Sequence, residues 1–157
     1  MLAIVWHSRT GAARAMAQAA CEGAGDVAAL LPAAEATPDA LLAAAAYLFV
    51  CPENLGSMTG MMKEMFDRCY YPLLGRIEGR PYAVMVCGGS DGEGAVRQIG
   101  RICTGWRLRE VAAPLIVITG AQTPEAIAAA KTIGEADLAR CRELGAAMAA
   151  GLGIGVF

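Results

Sequence analysis

The stretch LAIVWHSRTGAA, residues 2–13, decides the fold class of this chain. Its first five residues are apolar without alternation, which is typical of a β-strand buried on both faces. A short turn with Ser8, Thr10 and Gly11 follows, and an alanine-rich helix begins beside it. A helix N-terminus carries unpaired backbone N–H groups and a partial positive charge, so this turn is suited to holding a phosphate. Simple capping of the helix by Ser8 and Thr10 explains the same residues equally well.

The pattern of a strand, a turn and a helix recurs along the chain. Apolar strands are predicted over residues 2–6, 27–31, 47–51, 81–87 and 115–119, with Pro52 ending the third of them. Strands that alternate with helices predict an α/β fold, here a three-layer, doubly wound parallel sheet of five strands. We expect the strand order 2-1-3-4-5, because it brings the loops after strands 1, 3 and 4 to one place, where such sheets bind ligands.

Local signals place several helix starts. Thr37 and Thr123 each precede a proline and an acidic residue, as an N-cap does. Thr132 and Glu135 have the spacing of a capping box, which predicts that the last helix begins at Thr132. Methionines and Phe66 at helical spacing predict an amphipathic helix from Ser57 onward.

Composition limits the classes of protein to consider. The 157 residues predict one domain spanning 1–157. A formal charge of −2 without a basic stripe argues against a nucleic-acid-binding surface. No apolar run is long enough for membrane insertion and no basic segment precedes the first strand, so we expect a cytoplasmic protein.

The cysteines and the single histidine indicate no metal site. The six cysteines are scattered singly, which is typical of buried reduced thiols. His7 has no second ligand type at suitable spacing, so we expect it to lie at the rim of the cleft without a metal.

Two motifs carry a resemblance to a known family. The segment WHSRTGAARAMA resembles the phosphate loop of flavodoxin-like proteins, and CPENLGSMTGMMKEMFDR is similar to their isoalloxazine-binding loop and the helix after it. The chain looks most like the branch of NADPH-dependent FMN reductases and tryptophan-repressor-binding-protein-like NAD(P)H:quinone oxidoreductases. The resemblance implies FMN as cofactor, NAD(P)H as co-substrate, a quinone or similar small acceptor, and a homodimer or homotetramer.

The resemblance also implies which residues contact FMN. The phosphate would be held by Ser8, Arg9, Thr10, Gly11, Ala12 and Ala13. The flavin ring would be lined by Pro52, Glu53, Asn54, Leu55, Gly56 and Ser57. Its other side and the ribityl chain would be closed by Gly88, Gly89, Ser90 and Asp91, where glycines let the backbone approach the ligand. No side chain is assigned as a catalytic acid or base, because the chemistry belongs to the flavin.

Three functions are compatible with these residues. The loops contain no aromatic residue to cover the ring, and a charge of −2 gives little steering of protein partners, so a reductase ranks above a flavodoxin-type electron carrier. Ala12 and Ala13 lack the hydroxyl or amide groups common in such phosphate loops. An interaction module that has lost FMN is therefore the third hypothesis.

Some residues near the predicted cleft keep open assignments. Glu53 and Asp91 are expected to be solvated loop residues. Trp106, Tyr70 and Tyr71 are compatible with covering a neighbouring subunit's flavin or with packing in their own chain.

Overall fold

A parallel β-sheet runs through the centre of the molecule, which a computed structural model describes over all residues 1–157. Its first strands along the chain are β1 (Leu2–Trp6), β2 (Ala28–Pro32) and β3 (Ala46–Asn54). The short strand β4 (Ser57–Met58) pairs antiparallel with β3. The chain continues with β5 (Pro81–Gly88), β6 (Arg109–Glu110) and β7 (Leu115–Ile118). The order is β2-β1-β3-β5, and β6 and β7 both pair with the outer side of β5. Since β6 and β7 together take the place of the fifth strand, the predicted order 2-1-3-4-5 is confirmed.

Helices cover both faces of this sheet. They are α1 (Ala12–Ala24), α2 (Pro38–Ala43), α3 (Gly60–Leu73), α4 (Glu93–Gly105), α5 (Pro124–Ala128) and α6 (Glu135–Gly153). Helices α1 and α6 bury apolar residues against one face, and α2, α3 and α4 bury theirs against the other. The predicted three-layer, doubly wound α/β fold is confirmed. These helices are too short or too polar to cross a lipid bilayer.

Alternating residues of each strand supply the two cores. Leu2 and Ile4 point to the α1/α6 side, whereas Val5 packs with the residues of α2, α3 and α4. On that second side the Phe66 ring lies 4.9 Å from Phe49 and 5.1 Å from Trp106, measured between ring centroids. Both faces of the sheet are buried, which is why the strands read as continuous apolar runs.

Two glycines let α1 and α6 pack closely against each other. A Cβ on Gly145 would lie 1.9 Å from the Ala20 carbonyl oxygen, and one on Gly23 would lie 2.0 Å from the Arg142 carbonyl oxygen. The two backbones are therefore in direct contact. The predicted apolar stripe of α6 packs into this core, with Leu138, Cys141, Leu144, Met148 and Leu152 all taking part.

The predicted ends of β3 and α3 were wrong. Strand β3 continues through Pro52 to Asn54, and Ser57 and Met58 fold back on it, so α3 begins only at Gly60. A proline is tolerated there because Val50 O accepts the N–H of His7 at 3.0 Å. The backbone N–H and C=O groups of residue 50, and by alternation those of residue 52, therefore point toward β1. Because β1 ends at Trp6, opposite Val50, the position of Pro52 has no β1 residue to pair with, and its missing N–H costs no hydrogen bond of the sheet.

Two of the three predicted helix caps are confirmed. Thr37 and Thr123 each accept a backbone N–H through Oγ1 at 3.2 Å. The capping box at the last helix is wrong, since α6 begins at Glu135 with Gly134 at its N-cap. The segment just before α6 is bonded to the loop after β1 and does not join the helix, because the N–H of Lys131 donates to Thr10 O at 2.8 Å.

Candidate functional site

A cleft of about 490 Å³ opens where β1, β3 and β5 end, within the size range of small-molecule sites. It brings the three predicted loops together. The predicted residues that line it are Thr10, Ala12, Pro52, Glu53, Asn54, Leu55, Gly56, Gly88, Gly89, Ser90 and Asp91. The others belong to the same loops but lie outside the lining: Ser8, Arg9, Gly11, Ala13 and Ser57.

Sequence reasoning missed one wall of the cleft. That wall consists of Cys87 and of residues that follow β7, namely Thr119, Ala121, Ile127 and Lys131. No motif marks these residues. The general rule still pointed to them, because the carboxyl end of the fifth strand lies at the same edge of a parallel sheet as the others.

The predicted phosphate loop, residues 8–13, called the phosphate loop below, has Gly11 at the N-cap of α1 with φ 101°, and no side chain caps this helix. The capping explanation is therefore wrong for Thr10, whereas Ser8 Oγ accepts the N–H of Gly11 at 3.1 Å. The N–H of Ala12 lies in the first helical turn, where the helix supplies no acceptor. Ala12 and Ala13 are small because their methyl groups are buried in the α1/α6 core.

Cys87 is a buried thiol beneath this loop. Burial raises its pKa to about 11, only partly offset by backbone N–H groups, among them that of Ala13. The thiol is therefore protonated at neutral pH and is not a nucleophile. As predicted, all six cysteines are free, and all but Cys21 are buried.

A hairpin formed by β3 and β4 supplies the second side of the cleft. Leu55 and Gly56 occupy its two-residue turn with φ 54° and 71°, as in a type I′ turn. The hairpin is fastened to α4, since Glu53 Oε2 accepts the N–H of Ala95 at 2.9 Å and Gln98 Oε1 accepts that of Met58 at 3.0 Å. The loop is thus held in place before any ligand arrives. Leu55 is fully exposed at its tip.

The two carboxylates at the cleft were both expected to be solvated, and Asp91 is indeed exposed, whereas Glu53 is partly buried; both also accept backbone hydrogen bonds. Glu53 is bonded to Ala95, and Asp91 Oδ1 accepts the N–H groups of Gly92 at 2.7 Å and Glu93 at 3.0 Å. The bonds from Glu93 and Gly92 hold the pKa of Asp91 below its usual value. Both negative charges lie at the positive end of α4, which offsets them.

The glycines of the β5–α4 loop have a reason in the fold itself, in addition to the predicted approach of the backbone to a ligand. A Cβ on Gly88 would lie 1.7 Å from Asp91 O, and one on Gly89 would lie 2.3 Å from Ala121 O. The chain's own backbone therefore requires glycine at both positions, whatever the ligand needs.

His7 lies beside the cleft without lining it. Its Nδ1 is 2.9 Å from Thr59 Oγ1, a bond that joins the residue just before the phosphate loop to the N-cap of α3. Burial first, and then the charge of Arg9, lowers the pKa of His7. The imidazole is therefore neutral at neutral pH.

The titration of His7 gives a testable pH dependence. We expect a midpoint below 6.5 in the folded protein, and a loss of stability as the pH falls below about 6.5, because the unfolded chain then binds the proton first. NMR of the ring protons measures this directly, since His7 is the only histidine. The urea-unfolded chain is the reference, and a folded midpoint at or above its value would contradict the prediction.

No aromatic side chain lines the cleft. Trp106 is buried against Phe66, so it packs in its own chain. Tyr70 and Tyr71 are exposed, with ring centroids 5.0 Å apart. They lie near the C-terminal end of α3, whereas the cleft lies near the N-terminal end of that helix.

Comparison with solved structures agrees with this architecture. A flavodoxin from the domain Archaea is 19% identical with a TM-score of 0.77, covering 98% of this chain and 99% of the other. A flavodoxin from Pseudomonas aeruginosa is 21% identical with a TM-score of 0.75, covering 97% and 98%. A flavodoxin, WrbA-like protein from Agrobacterium tumefaciens is 23% identical with a TM-score of 0.70, covering 94% of each chain. The fold is therefore flavodoxin-like.

The sequence itself identifies the family. No curated protein matches the chain significantly. The sequence pattern of the NADPH-dependent FMN reductase family, by contrast, matches residues 10–123, from the phosphate loop to the N-cap of α5. That span is most of the chain and contains every residue that lines the cleft except Ile127 and Lys131. This protein belongs to the NADPH-dependent FMN reductase family.

Proposed function

We propose that this chain is an FMN-dependent oxidoreductase that oxidises NAD(P)H and reduces a quinone or similar small acceptor, with residues 1–157 acting as one FMN-binding domain. The observation that carries the proposal is the cleft itself, where three loops at the carboxyl edge of the sheet converge without an aromatic residue. Membership of the NADPH-dependent FMN reductase family supports FMN as the cofactor and oxidoreduction as the chemistry.

The residues of the cleft fit FMN. The phosphate loop presents the N–H of Ala12 and the Thr10 hydroxyl beside the positive end of α1, where an anion is stabilised. The remaining two loops, residues 52–57 and 88–91, would line the two sides of the ring. Both are fixed in advance by their bonds to α4, so little conformational entropy is lost when a ligand binds.

Two exposed aliphatic side chains support a small apolar acceptor. Leu55 belongs to the hairpin on the α4 side of the sheet, and Ile127, which is 55% exposed, belongs to α5 next to the phosphate loop. When bound, FMN would supply the hydride-accepting and electron-transferring chemistry, while the chain would hold it in place in a cleft that opens to solvent and has no aromatic residue to cover the ring. An apolar rim around that opening favours a quinone over a charged acceptor.

The electron-carrier alternative is supported by the solved flavodoxins, which have the same fold and almost the same length. The absence of aromatic residues in the cleft and the charge of −2 favour the reductase instead. Assembly as a homodimer or homotetramer and a cytoplasmic location stay predictions.

The proposed function is tested by one absorbance titration. We expect FMN to show a shifted, saturable spectrum with the protein, which NADPH bleaches and a quinone restores. Retained flavin that NADPH does not bleach would indicate the carrier. No spectral change with FMN would exclude both flavin functions and leave the interaction module.

A further inference from the structure

Lys131 lies in the cleft although nothing in its sequence context indicates it. Its backbone N–H donates to Thr10 O at 2.8 Å, and its carbonyl oxygen is 3.7 Å from the position of a Cβ on Gly11. The segment before α6 thus packs directly against the phosphate loop. The Lys131 side chain is half-buried and lines the cleft together with Thr10 and Ala12.

The phosphate loop alone has few groups to balance a phosphate, which carries about 1.5 to 2 negative charges at neutral pH. Ser8 Oγ accepts the N–H of Gly11, so its hydroxyl has a single neutral donor to offer, and Ala12 and Ala13 have no polar side chain. Arg9 is exposed and does not line the cleft. Among the residues that line the cleft, Lys131 is the one cation.

The ammonium of Lys131 is held in position by the chain. Nζ donates to Ile127 O at 2.9 Å and to Ala129 O at 2.5 Å. An ammonium has three N–H donors, so one remains for a ligand. We propose that Lys131 anchors the phosphate of FMN, replacing the side-chain donors that the phosphate loop lacks at Ala12 and Ala13. This inference rests on the proposed binding of FMN in the cleft.

A purely structural role predicts something different. If Lys131 only closes the C-terminal end of α5, its removal disturbs the whole wall of the cleft and weakens every flavin alike. If it binds phosphate, its removal weakens FMN and leaves riboflavin, which lacks the phosphate, almost unchanged. The ratio of the two dissociation constants therefore separates the roles.

The experiment measures dissociation constants for FMN and riboflavin by flavin fluorescence with the wild type and three variants. We expect Lys131→Gln to weaken FMN about ten- to hundredfold, as for loss of a charge-assisted hydrogen bond, and riboflavin by less than about threefold. Lys131→Arg should keep most of the FMN affinity. Lys63→Gln is the matched control, because Lys63 is the only other lysine and pairs with Asp67 on α3.

Several results would overturn the assignment. An unchanged FMN affinity in Lys131→Gln, or an equal loss for both flavins, would leave Lys131 as a structural residue. A higher KM for NADPH but not for NADH, with an unchanged flavin ratio, would assign the lysine to the nucleotide instead. These outcomes leave the proposed function intact, whereas failure of the wild type to bind FMN would remove both proposals.

Discussion

Replacing Gly88 with alanine should lower the free energy of unfolding by about 3 kcal/mol or more, an unusually large effect for a single added methyl group. The new Cβ would lie 1.7 Å from Asp91 O and 2.9 Å from the Asp91 carbonyl carbon, both backbone atoms that no side-chain rotation can move. Gly88 cannot retreat either, because its carbonyl oxygen accepts both the N–H and the hydroxyl of Thr119, at 2.8 and 3.2 Å. Asp91 is itself bonded to the first turn of α4.

The matched control for Gly88 is Gly105→Ala, at the end of α4. A Cβ there meets nothing within 4 Å, so stability should be unchanged or slightly higher. Urea and thermal unfolding measure both variants, and for a chain of this size about 3 kcal/mol corresponds to a fall in Tm of about 6 to 12 °C. If Gly88→Ala proved as stable as the control, the β5–α4 loop would have to be able to rearrange.

The sheet and the meeting of three loops were predictable because their causes are local. Each buried strand is continuous in sequence, and alternation with helices leaves few possible orders for a parallel sheet. Thr37 and Thr123 also cap as predicted, since a cap depends on neighbours within three residues.

The rest of the site depends on contacts between distant segments. Leu55 is a poor residue for the first position of a type I′ turn, and the turn forms because Glu53 and Met58 are bonded to α4. The capping box predicted for α6 does not form for the same kind of reason, since a bond to a distant residue, from Lys131 to Thr10, holds the segment before the helix. None of these three long-range bonds leaves a pattern in the local sequence.

Replacing Gly94 with alanine should weaken flavin binding about a hundredfold or more. A Cβ on Gly94 would lie 2.1 Å from Gly56 O and 3.2 Å from Glu53 Oε2, so the hairpin would have to move away from α4. That movement breaks the bond from Ala95 to Glu53 and displaces the loop proposed to line the ring. An error of about 1 Å in such a loop removes most of the benefit of a preformed site.

This loss has a signature that distinguishes it from that of Lys131→Gln. Because the hairpin is proposed to contact the ring, FMN and riboflavin should weaken by the same factor in Gly94→Ala. Gly100→Ala is the control on the same helix, since a Cβ there approaches only Tyr82 Oη, at 4.0 Å. Flavin fluorescence gives both dissociation constants, and circular dichroism verifies that each variant is folded at the temperature of the titration. Wild-type affinity of folded Gly94→Ala for both flavins would mean that the hairpin does not contact the ring, because the clash with Gly56 cannot be relieved without moving one of the two segments.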